Sequence, residues 1–188
     1  MVSALRARIA ELASEHDLPD GAGRQLRALL DVLEIDPTAP STVTAPLLAV
    51  DVHLADALDG LRIPAVRGAR RVADLGAGAG FPGLVLAVAL PATHVSLIES
   101  VGKKVAFMQR AAASAGLSNA RPVHVRAEEW ADGLGANDLV VARALAPLTA
   151  LVEYAAPLLG DGGHLEVVAD DHAVVAQLAA QQPVEDGG

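Results

Sequence analysis

The chain opens with two stretches in which apolar residues recur every three or four positions: Leu5, Ile9 and Leu12, then Leu26, Leu29, Leu30 and Leu33. That spacing gathers the side chains on one helical face and predicts amphipathic helices over Val2–His16 and Gly21–Leu33. Residues 37–46, rich in Thr and Pro, read as a loop. A further helix is expected over Leu47–Leu61, stopping ahead of Pro64, because proline pushes the residue before it out of the helical region. From residue 71 the pattern changes. Short apolar runs at 71–75, Val95–Glu99, Pro122–Arg126, Asp138–Ala142 and His164–Val168 read as strands. Between them lie helical stretches at 83–90, Lys103–Ala115, around Trp130 and at Leu148–Leu158. Residues 160–163 read as a turn entering the last strand, and the Ala- and Val-rich Asp171–Gln181 as one more helix before a polar tail.

Strands alternating with helices predict an α/β fold, a doubly wound, mostly parallel sheet. Residues 64–188 form its core and residues 1–63 a helical section packed on it, one structural domain overall.

The most specific chemistry lies between the first strand and its helix, in Asp74-Leu75-Gly76-Ala77-Gly78-Ala79-Gly80-Phe81-Pro82-Gly83. Glycines at a strand-to-helix turn let the backbone turn sharply and approach a ligand closely, at the edge of the sheet where ligands bind. A phosphate-binding P-loop is excluded, since no Lys, Ser or Thr follows Gly83. Gly78–Gly83 also satisfies a dinucleotide-type G-x-G-x-x-G, a weak match on its own. The better fit is an acid, Asp74, two places before the G-x-G-x-G of Gly76, Gly78 and Gly80. That arrangement resembles motif I of class I S-adenosylmethionine methyltransferases, with the acid near the cofactor's ammonium and backbone N–H groups near its carboxylate. Residues that end successive strands face the same ligand. Glu99 ends the second strand, where its carboxylate can accept two ribose hydroxyls or cap the next helix. Ala127 and Glu128 follow the third strand, within reach of an adenine edge. Arg143 ends the fourth, where an unpaired charge is costly, so a cofactor carboxylate, a substrate group or Glu128 is its expected partner.

Composition narrows the setting. A formal charge of −9 disfavours indiscriminate nucleic-acid binding. All 14 Lys and Arg lie at or before Arg143, with a local cluster at Arg62, Arg67, Arg70 and Arg71 and a pair, Lys103 and Lys104, opening a helix. Cysteine is absent, and the histidines form no metal-ligand motif, so no metal is expected. With no apolar run of transmembrane length and no secretory signal pattern, the expectation is a cytoplasmic protein without membrane contact.

Five segments then resemble one family in order and spacing: HLADAL (His53–Leu58), DLGAGAGFPG (Asp74–Gly83), IESVGKKVAFM (Ile98–Met108), RAEEW (Arg126–Trp130) and VVARALAPL (Val140–Leu148). The chain resembles the RsmG (GidB) family of S-adenosylmethionine-dependent methyltransferases, which modify N7 of a guanine in 16S ribosomal RNA. The resemblance implies a class I methyltransferase fold and cofactor contacts at Gly76, Phe81, Ala127, Glu128 and Arg143. Glu99 takes the general ribose position, and Asp74, Gly78 and Gly80 belong to the motif I turn. The implied partner is 16S rRNA or the small ribosomal subunit. No catalytic acid or base is implied, because guanine N7 already carries an in-plane lone pair. His53 and Asp56 resemble a family pair near the pocket.

Three features depart from the family. Val167-Val168-Ala169-Asp170-Asp171 stands where the family has a Leu-Lys-Gly-like segment. No closing strands are evident after the last helix, and only Thr42-Val43-Thr44 represents the family's Asn-Leu-Thr-like loop. Aromatic content is 2%, leaving few platforms for base stacking. These departures keep two alternatives open, a diverged methyltransferase acting on a small molecule and a non-catalytic cofactor-binding paralogue.

Overall fold

The computed structural model describes residues 2–143, 147–169 and 172–177. Its centre is β1 (Arg71–Leu75), whose Val72, Ala73 and Leu75 are fully buried, as expected of a parallel strand covered on both faces. Around it stand β2 (His94–Glu99), β3 (Ala120–His124), β4 (Asn137–Arg143), β5 (Leu159–Ala169) and β6 (His172–Gln177), in the order β3-β2-β1-β4-β5-β6. Strands β1 to β5 are mutually parallel and β6 runs antiparallel to β5. The winding direction reverses between β1 and β4, and ligands of such sheets bind at that crevice.

The two-residue period of the strands divides the core. Val72, Leu139 and Val141 face α6 (Gly83–Ala89) and α7 (Gly102–Ser114), while Ala73, Leu75, Val140 and Ala142 face α8 (Leu148–Ala155). The N-terminal helices α1 (Val2–Glu15) and α2 (Ala22–Ile35) put Leu5, Ile9, Leu12, Leu26, Leu29, Leu30 and Leu33 into the first of these clusters. The apolar core is therefore continuous across residues 63 and 64. No helix among the described residues is long and apolar enough to cross a membrane.

Where one regular helix was expected over Leu47–Leu61, the chain forms a broken helical run. It comprises α3 (Pro46–Ala49), a π turn (Val50–Ala55), α4 (Asp56–Asp59) and a 3-10 turn (Gly60–Arg62). In the π turn the Asp56 N–H donates to the Asp51 carbonyl, five residues back. Such turns are frequent at functional sites. Ile63 is extended before Pro64, which opens a short helix, α5 (Pro64–Gly68), that the hydrophobic pattern does not predict.

Three further expectations are corrected. Strand β3 begins two residues earlier than the run at Pro122–Arg126, and it tolerates Pro122 because it is an edge strand. Residues 160–163 bulge out of β5, where pairing jumps from Asn137↔Leu159 to Leu139↔His164. The helix expected over Asp171–Gln181 is, in its described part, β6, with Ala169↔His172 through His164↔Gln177 in register. His-Ala-Val-Val-Ala-Gln carries two β-branched valines, and the open edge of β5 supplies a hydrogen-bonding ladder that outweighs alanine's helix preference. An antiparallel strand thus follows β5, where the sequence pattern shows no closing strands. The rest of that segment, and Ala144–Ala146 of VVARALAPL, lie outside the described residues.

Candidate functional site

A cavity of about 400 Å³ opens where β1, β2, β3 and β4 end. Its wall is made of Gly76 after β1, Ile98 to Val101 and Lys104 after β2, Val125 to Glu128 after β3, Arg143 at the end of β4, and Tyr154 from α8.

The glycine turn forms the wall nearest the switch point. Gly76, Gly78 and Gly80 all have positive φ (65°, 58° and 88°), which an L side chain adopts only with strain. The N–H groups of Gly76 and Ala77 donate to the Ile98 carbonyl at 2.9 and 3.1 Å, tying the turn to β2. Asp74 does not reach the cavity. Its side chain is buried beneath the turn, where Oδ2 accepts the Gly83 N–H at 2.8 Å at the start of α6. Burial pushes its pKa up to about 7, against the opposing pull of that hydrogen bond. Phe81 is also buried, stacked on His53 with ring centroids 4.7 Å apart and planes 6° from parallel.

Glu99 is 5% exposed, yet its carboxylate lines the cavity. Oε2 accepts the Gly78 N–H at 3.1 Å and Oε1 the Val101 N–H at 2.9 Å, at the start of α7, and Lys104 Nζ lies 3.5 Å away. Glu99 thus holds the chain as it enters α7 without bonding the helix's own N–H groups, and each oxygen retains acceptor capacity for a ligand. Glu128 sits on a single 3-10 turn (Ala127–Glu129) and pairs with Arg126 at 2.7 Å. Its own backbone N–H, followed by Arg126, holds its carboxyl below the usual range.

Arg143 reaches from β4 to the broken helical run rather than to Glu128. Nη1 donates to the Val52 carbonyl and to Asp56 Oδ2, both at 3.2 Å, and Nη2 to His53 Nδ1 at 3.2 Å. An unpaired arginine at the strand end is costly, and the π turn with the first residue of α4 provides its acceptors. His53 and Asp56 thus meet at Arg143. Behind them Glu166, on β5, is buried, and its pKa is pushed up to about 7 by burial and then by Asp56.

Of the expected site residues, Gly76, Glu99, Ala127, Glu128 and Arg143 line the cavity, whereas Asp74, Gly78, Gly80 and Phe81 shape it from behind. Lys104, Arg126, Val101 and Tyr154 were not assigned to it. Their signal was proximity to strand ends, legible for the first three once β2 and β3 were placed, and absent for Tyr154 on α8. The cluster Arg62, Arg67, Arg70 and Arg71 belongs elsewhere. Arg71 begins β1, at the end of the sheet opposite the cavity; Arg62 is paired with Asp59, and Arg67 binds the Leu61 and His16 carbonyls.

A five-stranded parallel sheet in this order, with a glycine turn after β1 and an acid ending β2, defines the class I methyltransferase fold. Among solved structures, precorrin-6y C5,15-methyltransferase from Geobacter metallireducens superposes with a TM-score of 0.53 at 19% identity, over 72% of this chain and 70% of that one. Residues 41–179 match the family model GidB, described as rRNA small subunit methyltransferase G, and the chain belongs to that family. The Ribosomal RNA small subunit methyltransferase G of Myxococcus xanthus is 41% identical over 75% of this chain and 65% of its own length. The protein of the same name from Chromohalobacter salexigens is 40% identical over 85% of this chain and 74% of its own. The chain thus spans just under two thirds of the Myxococcus relative.

Proposed function

We propose that this chain is an S-adenosylmethionine-dependent methyltransferase acting in the cytoplasm on N7 of a guanine in 16S ribosomal RNA, within a complete or partly assembled small subunit. The observation that carries the reading is the convergence of Gly76, Glu99, Ala127, Glu128 and Arg143, from four strand ends, on one cavity at the switch point. Family membership supports the choice of acceptor.

The cavity suits the cofactor's chemistry. Glu99 offers acceptor lone pairs to a ribose diol, and Ile98, Val101 and Val125 supply apolar surface for an adenine. Gly76, at a φ of 65°, lines the cavity with backbone alone. Among the described residues Arg143 makes three N–H bonds, through both N–H groups of Nη1 and one of Nη2, and Nε and the second N–H of Nη2 are the donors offered to an anionic group. When bound, S-adenosylmethionine supplies a methyl group made electrophilic by its sulfonium. Guanine N7 needs no deprotonation to attack it, so no residue is assigned as acid or base. The protein contributes in-line positioning and a preorganised polar wall.

Calorimetric titration separates this reading from a dinucleotide site. Micromolar binding of S-adenosylmethionine with no binding of NAD is expected. A folded protein that binds NAD, or neither compound, contradicts it.

A further inference from the structure

His53 joins the glycine turn, the end of β4 and the loop at residues 41–43. Its ring lies on Phe81 of the glycine turn. Nδ1 faces Arg143 Nη2 at 3.2 Å, and Nε2 faces the Val43 carbonyl and Ser41 Oγ, each at 3.1 Å. Arginine only donates, so Nδ1 must be the acceptor. The proton of a neutral ring then resides on Nε2, where the Val43 carbonyl accepts it. Ser41 and Val43 form a small turn of their own, with the Val43 N–H donating to Ser41 Oγ at 3.1 Å. One tautomer therefore satisfies every partner, and the other sets two donors against each other.

We propose that His53, as the Nε2–H tautomer, is the positioning residue of Arg143: by accepting at Nδ1 it fixes the guanidinium so that the remaining N–H groups face the cofactor's carboxylate. The inference rests on the S-adenosylmethionine reading above. The carboxylate is the only anionic group of that cofactor, and a guanidinium that lines the same cavity, with two N–H groups unbonded among the described residues, is its natural partner. Val52 and Asp56 hold Nη1, so without His53 the guanidinium keeps its place but loses the contact that sets its rotation. The π turn, running into α4 at Asp56, brings Val52, His53 and Asp56 to one arginine together.

The two ring nitrogens are separable by substitution, because the amide of Asn reaches roughly the Nδ1 position and that of Gln roughly the Nε2 position. His53→Asn keeps the acceptor for Arg143, His53→Gln keeps the contact with residues 41 and 43, and His53→Phe keeps only the stack on Phe81. Affinities are measured by calorimetry for S-adenosylmethionine and for 5′-methylthioadenosine, which lacks the amino-acid end, with thermal melts of each variant. His53→Asn is expected within about threefold of the wild type for S-adenosylmethionine, and His53→Gln and His53→Phe about tenfold or more weaker, the worth of a hydrogen bond to a charged group. For 5′-methylthioadenosine all four proteins should bind alike. Equal losses in Asn and Gln variants, the reverse order, or the same losses with 5′-methylthioadenosine overturn the proposal. Should the variants fold poorly, the long-range 1H–15N spectrum of the wild-type imidazole decides: a protonated Nε2 and bare Nδ1 support the proposal, and the opposite tautomer overturns it. A wild-type protein that does not bind S-adenosylmethionine removes the functional reading itself.

Discussion

A methyl group on Gly80 would run into Leu84 and stand 3.4 Å from Met108 Cγ, at a φ of 88°. At Gly78 the nearest atom to an added Cβ is the Gly76 carbonyl oxygen at 3.7 Å, although φ is 58°. The two glycines are therefore present for different reasons, one for space and conformation, the other for conformation alone. Gly80→Ala is expected to cost about 3 kcal/mol in denaturant unfolding and Gly78→Ala about 1 kcal/mol, the strain alone. Equal costs would contradict the distinction. A β-branched residue is worse in that backbone region, so Gly78→Val is expected to abolish cofactor binding while far-UV circular dichroism stays native. The turn was legible because only glycine suits such positions. The destination of Asp74 was less so, since the D-x-G-x-G spacing gives no side-chain direction. The strand period does give it, because Asp74 shares the face of Val72, toward α6.

Strands buried on both faces announced themselves as apolar runs, and β1 matches its expected limits. Segments held by tertiary contacts did not. The π turn is invisible in hydrophobic spacing, and β6 exists because β5 offers it an edge. Glu166 on β5 was overlooked for a related reason: a lone acid in an apolar run gives no hint of what lies across from it. Its Oε1 stands 2.9 Å from where a Gly60 Cβ would be, so it faces the broken helical run. With a folded-state pKa of about 7 against an ordinary 4.5, it binds a proton in the native state that the unfolded chain has lost. Its contribution to stability therefore falls as pH rises from about 4.5 to about 7 and is constant beyond, and Asp74 acts in the same sense. Glu166→Gln is expected to be near neutral at pH 4.5 and stabilising at pH 8, by up to about 3 kcal/mol in urea unfolding. A destabilised variant at pH 8 would show that the carboxylate is paired rather than merely buried.

At the scale of the molecule, alternating strands and helices gave the architecture, and five ordered segments gave the family. The sign of the charge along the chain was a poorer guide to where a partner sits. The arginine-rich approach to β1 lies at the end of the sheet away from the cavity, and the cations at the cavity are Lys104, Arg126 and Arg143, each from a different strand end. A net charge of −9 gives the protein little general attraction for phosphate backbones, so on the proposed function recognition of a ribosomal acceptor would rest on shape. Assembled small subunits are accordingly expected to accept methyl groups faster than naked 16S RNA, and the reverse order would argue against shape recognition. The most direct test of the central claim is transfer of labelled methyl from S-adenosylmethionine to small subunits lacking their guanine-N7 modification, with mapping of the modified base. The account predicts stoichiometric label on N7 of one guanine in 16S rRNA, lost in Arg143→Ala. Tight cofactor binding with no label on any ribosomal particle would contradict it.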